Sequence, residues 1–147
     1  MGKFTDLPDE EEEVLLNRVD AWYIIAAMTR DLQPYIKQFK SEQNVDLTLD
    51  YFGWDGEESF AIYMNGHFCY TIQFNTYEPA IRSIGFDEEP LSGENEHAVE
   101  LILGPLVQEL LQKYRSTPVK DLANDSVVDD YFNQIATKRG YSKGGER

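Results

Sequence analysis

The sequence has few of the residues on which small enzymes and disulfide-stabilised domains depend. One cysteine and two histidines occur in 147 residues, and 13 lysines and arginines face 27 aspartates and glutamates. The single cysteine, Cys69, excludes an intramolecular disulfide and favours a reducing, cytosolic location. The formal net charge of −14 argues against direct binding of nucleic acid, because contacts with phosphates require clustered lysines and arginines.

Long apolar runs are also missing. The longest, AWYIIAAM at residues 21–28, is far shorter than the roughly 20 residues that cross a bilayer. The first residues contain no basic segment followed by an apolar one, so we expect no signal peptide. The surplus of acids also opposes binding to an anionic membrane surface. We therefore expect a protein that makes no membrane contact.

The composition is nevertheless that of a folded protein. Hydrophobic residues make up 41% of the chain and aromatic residues 13%, which is enough for a core and excludes disorder throughout. The length suits a single domain. We expect this domain to span residues 1–140 and the last residues, 141–147, to form a flexible tail.

Apolar residues at steps of three and four predict a long N-terminal helix from Glu10 to Lys40. Its acidic start, DLPDEEEEV at residues 6–14, is typical of a first helical turn, where the helix dipole stabilises negative charge. Pro34 lies inside this pattern and predicts a kink or a break near residues 31–33, because proline removes one backbone donor.

Two further helices are predicted in the C-terminal third of the chain. The first covers residues 96–114 and should bend or restart at its internal Gly-Pro pair, residues 104–105. The second covers residues 126–140, with Asp125 or Ser126 as its N-cap. The segment before them, residues 87–96, contains acids, proline and glycine and is predicted to be a loop.

The middle of the chain has the alternating pattern of strands. Residues 45–52 alternate apolar and polar side chains, residues 59–75 predict a hairpin around Asn65-Gly66, and residues 79–86 are a weaker candidate. For the hairpin we predict a three-residue loop, Met64-Asn65-Gly66, pairing Ile62 with Phe68. This register places the apolar residues on one face, whereas a slip by one residue would mix the faces.

These elements predict an α+β fold. It has a long N-terminal helix, a three- to four-stranded antiparallel meander covered on one face by helices, and two C-terminal helices. The other sheet face, with Asp46, Asp50, Thr71 and Gln73, should point to solvent or to a partner.

Residues suited to catalysis are scarce. His67 and Cys69 are two residues apart and His97 and Glu100 are three apart, but zinc requires about four ligands in recognisable clusters. The segment GWDGEE, residues 53–58, does not have the spacing of a calcium-binding loop. We therefore predict no catalytic, cofactor or metal site. The rival hypothesis, a small hydrolase or metal-dependent enzyme, would require Cys69 and His97 to meet in one pocket.

The acids are concentrated in one part of the chain, since residues 41–90 hold ten acids and one base. Trp54 lies among them in a glycine-flanked turn, and exposed aromatic residues often anchor interfaces. An acidic surface accelerates encounter with a basic partner and opposes other partners. The predicted partner-binding residues are Asp46, Asp50, Trp54, Asp55, Glu57, Glu58, Asp87, Glu88 and Glu89.

The leading hypothesis is a small, acidic, cytosolic, non-enzymatic binding protein whose partner has a basic surface. It would act as an inhibitor that imitates nucleic acid, or as an adaptor, immunity-type or chaperone-like protein with an apolar patch and an acidic rim. Dimerisation through the helices is a further alternative, because two long amphipathic helices expose more apolar surface than a small sheet covers. In the plainest interpretation, the charge serves solubility alone.

Overall fold

The structure is a computed structural model that describes residues 9–54, 57–77, 84–88 and 94–140. In chain order the elements are α1 (Asp9–Gln43), β1 (Leu47–Trp54), β2 (Glu57–Met64), β3 (His67–Asn75), β4 (Ile84–Glu88), α2 (Glu94–Arg115), α3 (Val119–Ala123) and α4 (Ser126–Lys138). The strands form one antiparallel meander in the order β1-β2-β3-β4. The predicted α+β class, with a long first helix, is confirmed.

The hairpin between β2 and β3 turns in two residues, so the predicted three-residue loop is wrong. Met64 pairs directly with His67, and both turn residues have positive φ, 50° at Asn65 and 80° at Gly66. Asn and Gly are the residues that tolerate this conformation, which matches the right-handed twist of the strands. Asn65 also exchanges hydrogen bonds with the backbone of Asp46, which fixes the turn against the start of β1.

A β-bulge then restores the apolar face. Tyr63 pairs with Phe68 but Ile62 pairs with Tyr70, so Cys69 is the extra residue. Ile62 therefore pairs two positions away from its predicted partner, and this even shift keeps the residues from Tyr70 onward on their predicted face. Phe68, predicted on the apolar face, instead pairs with Tyr63 of the opposite face. Phe60, Ile62, Tyr70, Ile72 and Phe74 share the apolar face, and each is fully buried.

The helices cover that face. Every residue from Ala21 to Thr29 of α1 is buried, and α1 packs on β1 and β2 as well as on the other three helices. Phe132 of α4 stacks on Tyr23, with 3.9 Å between ring centroids. The hydroxyl of Tyr70 donates to the backbone oxygen of Glu100 and so joins β3 to α2. The core thus lies between the sheet and the helical layer.

Both helices with an internal proline are continuous. Pro34 lies within α1 and Pro105 within α2, so the predicted break does not occur at either site. Both prolines are exposed, and buried side chains such as Leu32 and Phe39 flank Pro34 on each side. Tertiary packing of the flanking turns offsets the cost of the missing backbone hydrogen bond.

The boundaries differ from the predictions in the second half of the chain. Residues 87–88 extend β4 and residues 94–96 begin α2, whereas both were predicted to be loop. Residues 79–83 and 89–93 lie outside the described residues. The short helix α3 was not predicted, and α4 has Asp125 as its N-cap, as predicted.

The sheet face opposite the helices is less exposed than predicted. Thr71 is 4% exposed, and Ser59 and Ala61 beside it are buried, so the expectation of a solvent-facing Thr71 is wrong. Gln73 is half-buried.

Among the described residues, no helix is long and apolar enough to cross a membrane.

Candidate functional site

Glu58 is the most deeply buried charged residue among those described, at 1% exposure. Its carboxylate accepts a hydrogen bond from Nε1 of Trp22 at 2.8 Å. Arg139 binds it in bidentate fashion, with Nε and Nη2 each 2.9 Å from a carboxylate oxygen. Nε of Arg18 lies 2.9 Å from Oε2. These four residues, the Glu58 cluster, join the start of α1, strand β2 and the end of α4.

Gly53 makes room for this cluster. It pairs with Glu58 across β1 and β2, and a Cβ at this position would lie 2.6 Å from Oε2 of Glu58 and 2.8 Å from Nη2 of Arg139. No side chain fits so close to these atoms. The glycine allows the buried carboxylate and its bidentate arginine to lie against the backbone of β1.

A second cluster lies between the helices. Arg30 donates from Nε to Asp31 at 2.9 Å and from Nη2 to the hydroxyl of Tyr114 at 2.8 Å. Nη1 of Arg30 donates to Asp125, and the Tyr114 hydroxyl donates to Asp31. We call these four residues the Arg30 cluster. It ties α1 to the end of α2 and to the start of α4.

The electrostatics of the Arg30 cluster follow from its contacts. Burial raises the pKa of Tyr114, and the hydrogen bond to Asp31 raises it further. The backbone N–H groups of Val128 and Val127, together with Arg30, lower the pKa of Asp125 below 3.8. Asp125 is therefore both the N-cap of α4 and an anion fixed by a helix terminus.

The predicted partner-binding residues divide into several environments. Glu58 is buried in its cluster and is absent from the surface. Asp46 is exposed and lies 3.0 Å from Nζ of Lys40, while Asp50 is half-exposed and binds Lys138. Ion pairs with this exposure contribute little stability and exchange readily.

For the remaining predicted residues, the strand pairing gives the position in the sheet. Glu57 is half-buried at the start of β2 and pairs with Trp54, the last residue of β1. Asp87 and Glu88 end β4, paired with Thr71 and Tyr70. Asp55 and Glu89 lie outside the described residues.

The register brings three of the predicted acids to one side of the sheet. Asp50, Ala61, Thr71 and Asp87 form one row across the four strands. With strands about 4.8 Å apart, its two acidic ends are separated by about 14 Å. Period-two alternation places Glu57 on the same side, together with the half-buried aromatic residues Phe52 and Tyr63. We call this side, defined by Asp50, Phe52, Glu57, Tyr63 and Asp87, the outer sheet face.

The residues considered for catalysis lie in unlike environments. Cys69 is fully buried in the bulge, whereas the side chain of His97 is 63% exposed and lies 3.5 Å from Glu100. The described residues contain no group of three or more His, Cys, Asp or Glu that could hold a metal ion.

Both clusters were missed by sequence reasoning. The only local signal was Arg30-Asp31, adjacent in the chain. The Glu58 cluster joins residues 36 and 81 positions apart, and no periodicity reports such a contact. Comparison with known proteins gives no further guide, since no family profile, curated sequence or solved structure matches this chain.

Proposed function

We propose that this chain is a non-enzymatic, cytosolic binding protein that engages the basic surface of a protein partner through its outer sheet face. One observation carries the proposal: strands β1 to β4 contain neither lysine nor arginine, and three of their five acids, Asp50, Glu57 and Asp87, belong to the outer side of the sheet. The sheet is thus the part of the described fold from which positive charge is missing.

Three of the nine lysines and arginines among the described residues bind carboxylates that join elements of the fold. Arg18 and Arg139 bind Glu58, and Arg30 binds Asp31 and Asp125. Lys138 pairs with Asp50, so the negative field of the molecule comes from its excess of acids over bases, 27 against 13. Such a field increases the rate at which a positively charged partner arrives and suppresses encounters with other acidic proteins.

The arrangement favours an adaptor-type contact over imitation of nucleic acid. A nucleic-acid mimic presents a continuous strip of acids, whereas the row from Asp50 to Asp87 has acids only at its ends. The same face carries the partly exposed side chains of Phe52 and Tyr63. The centre of the row, Ala61 and Thr71, is buried, so a partner would contact these aromatic side chains and the acids at the margins of the face, and aromatic residues together with polar margins are typical of a protein–protein interface.

The test is a pull-down from host lysate at low and high salt with two variants of equal charge. The first, D50N/E57Q/D87N, removes three acids from the outer sheet face. The control, E42Q/D121N/D130N, removes three exposed acids from the helices. We expect a basic protein that is retained at low salt by the wild type and the control and is lost from the sheet variant.

Equal loss in both variants would show that net charge alone retains the protein, and would refute the outer sheet face as the contact. If the wild type retains no basic protein, the proposal as a whole is refuted. Added duplex DNA serves as a competitor: if it binds the captured protein and displaces this chain, imitation of nucleic acid replaces the adaptor-type contact.

A further inference from the structure

The turn between β2 and β3 contains a pair of residues that is prone to chemical modification. Asn65 precedes Gly66, no other asparagine of the chain precedes a glycine, and both residues are exposed to solvent. An asparagine before glycine loses its side-chain amide more readily than one before any larger residue, because glycine has no Cβ to hinder its own backbone nitrogen. Asn65 is therefore the asparagine of this chain that local chemistry singles out for deamidation.

The reaction needs water and no other reagent. The backbone nitrogen of Gly66 loses its proton to solvent and attacks Cγ of Asn65. A bond forms between this nitrogen and Cγ, the bond from Cγ to Nδ2 breaks, and ammonia leaves with a proton taken from solvent. Water then opens the cyclic imide. Its addition at Cγ gives aspartate, and its addition at the main-chain carbonyl carbon gives isoaspartate, so that neither oxidation nor reduction occurs.

The backbone of the turn opposes the first step. Positive φ at both Asn65 and Gly66 is the requirement of a type I′ turn, in which the first central residue has ψ of about 30°. The five-membered imide ring requires Cβ of Asn65 and the nitrogen of Gly66 to be eclipsed about the Cα–C bond. At this ψ the two atoms lie on nearly opposite sides of that bond, so the native turn keeps them apart.

The contacts with Asp46 hold the turn in this unreactive conformation. The backbone N–H of Asn65 donates to the backbone oxygen of Asp46 at 2.8 Å. Oδ1 of Asn65 accepts from the backbone N–H of Asp46 at 2.9 Å. The side chain of Asn65 is thus engaged with the residue that precedes β1, and the torsional change that brings Cγ to the nitrogen of Gly66 breaks this engagement.

We propose that Asn65 is a site of spontaneous deamidation that the native hairpin protects, and that it reacts mainly in molecules whose turn has separated from Asp46. The two products affect the fold differently. Aspartate at position 65 retains an oxygen that accepts from the N–H of Asp46. Isoaspartate adds a carbon atom to the main chain and does not fit a two-residue turn. The modification therefore marks molecules that have opened, and it is independent of the outer sheet face.

Asn44 provides a control within the same chain. It is exposed and has a φ of 55°, close to the 50° of Asn65. The residue that follows it is Val45, whose branched Cβ hinders attack by its backbone nitrogen. The two asparagines thus share exposure and φ and differ in the residue on which the reaction depends.

The experiment follows deamidation in the native protein and in concentrated urea, at the same neutral pH and temperature. Digestion with pepsin at acid pH, where the reaction is slow, and mass spectrometry give the modified fraction at each asparagine. We expect Asn65 to react at least about tenfold more slowly in the native protein, because two hydrogen bonds have to break before it can react. Asn44 should remain unmodified in both samples over the same time.

Two variants at position 46 test the contact itself. D46P removes the N–H that binds Oδ1 of Asn65, whereas D46N keeps this N–H and changes only the side chain. We expect native D46P to deamidate at Asn65 roughly two- to tenfold faster than the wild type, and D46N to match the wild type. Circular dichroism and urea unfolding establish that both variants are folded.

Equal rates in the native protein and in urea would overturn the protection of Asn65 by the hairpin. Absence of modification at Asn65 in urea would overturn the assignment of the site. Equal rates in folded D46P and D46N would show that Asp46 does not restrain the turn. If D46P does not fold, the comparison of the native and unfolded wild type still decides whether the hairpin protects Asn65.

Discussion

Replacing Glu58 with glutamine removes one buried negative charge and leaves two arginines beside its site. The glutamine fits the same space and can still accept a hydrogen bond from Trp22, so the change is chiefly electrostatic. Removal of one partner of a buried ion pair costs about 3–5 kcal/mol. The side chains of Arg18 and Arg139 are 14% and 21% exposed and regain some hydration, which favours the lower end of this range.

We therefore expect E58Q to lower the free energy of unfolding by about 3 kcal/mol, a large fraction of the 5–15 kcal/mol typical of a domain. Urea unfolding followed by tryptophan fluorescence measures this change directly, because Trp22 is fully buried and donates to Glu58. Thermal unfolding should show a decrease in Tm of about 6–12 °C.

The matched control is D46N, which also replaces a strand-region carboxylate by its amide. Asp46 is 61% exposed and faces Lys40, so D46N should cost less than about 1 kcal/mol. If E58Q and D46N have the same stability, the Glu58 cluster does not hold α4 and β2 together and the argument from burial fails.

Two further predictions concern the Arg30 cluster. Y114F removes the hydroxyl that donates to Asp31 and accepts from Arg30, and should lower the free energy of unfolding in urea by about 1–2 kcal/mol. Y77F, which removes a hydroxyl from a residue that is 63% exposed, should have no measurable effect, and equal losses would contradict the reasoning. D125N tests the pH dependence. The pKa of Asp125 is lowered in the folded state from 3.8, so its charge stabilises the fold above that pH, and this contribution is lost as the pH falls through the lower folded value. The stability difference between wild type and D125N should be constant from neutral pH to about pH 5 and should close below about pH 4; a difference that persists at pH 2 would refute this assignment.

The sequence was sufficient to predict the kind and order of most elements. The spacing of apolar residues and the position of turn-forming residues are local features of the sequence. The spacing of apolar residues identified α1, α2 and α4, and Asn65-Gly66 identified the hairpin. The loop length was wrong for a definite reason. The alternation favoured a register that keeps the apolar residues on one face, and a bulge at Cys69 satisfies this condition from Tyr70 onward with a two-residue turn. Alternation determines only which face of the sheet each residue occupies, and two registers that differ by two residues give the same faces.

The candidate site was less predictable, because burial is a tertiary property. Asp46 and Glu58 are both acids on or beside strands, yet one is 61% exposed and the other is 1% exposed. What separates them is the presence of Arg18 and Arg139, distant in sequence. Gly53 was interpreted as part of a turn, but its function is to admit the carboxylate of Glu58.

The chemistry of the two clusters also bears on the charge of the surface. A planar guanidinium satisfies a buried carboxylate with two parallel hydrogen bonds, which the ammonium of lysine cannot do. Arg18, Arg30 and Arg139 are used in this way or in similar contacts, while the acids of the outer sheet face and Glu109 on α2 lie outside both clusters. Three of the four arginines among the described residues thus make such contacts, whereas most of the described acids lie outside both clusters. A partner with basic residues at its rim gains attraction on the outer sheet face, whereas an anionic partner meets repulsion there.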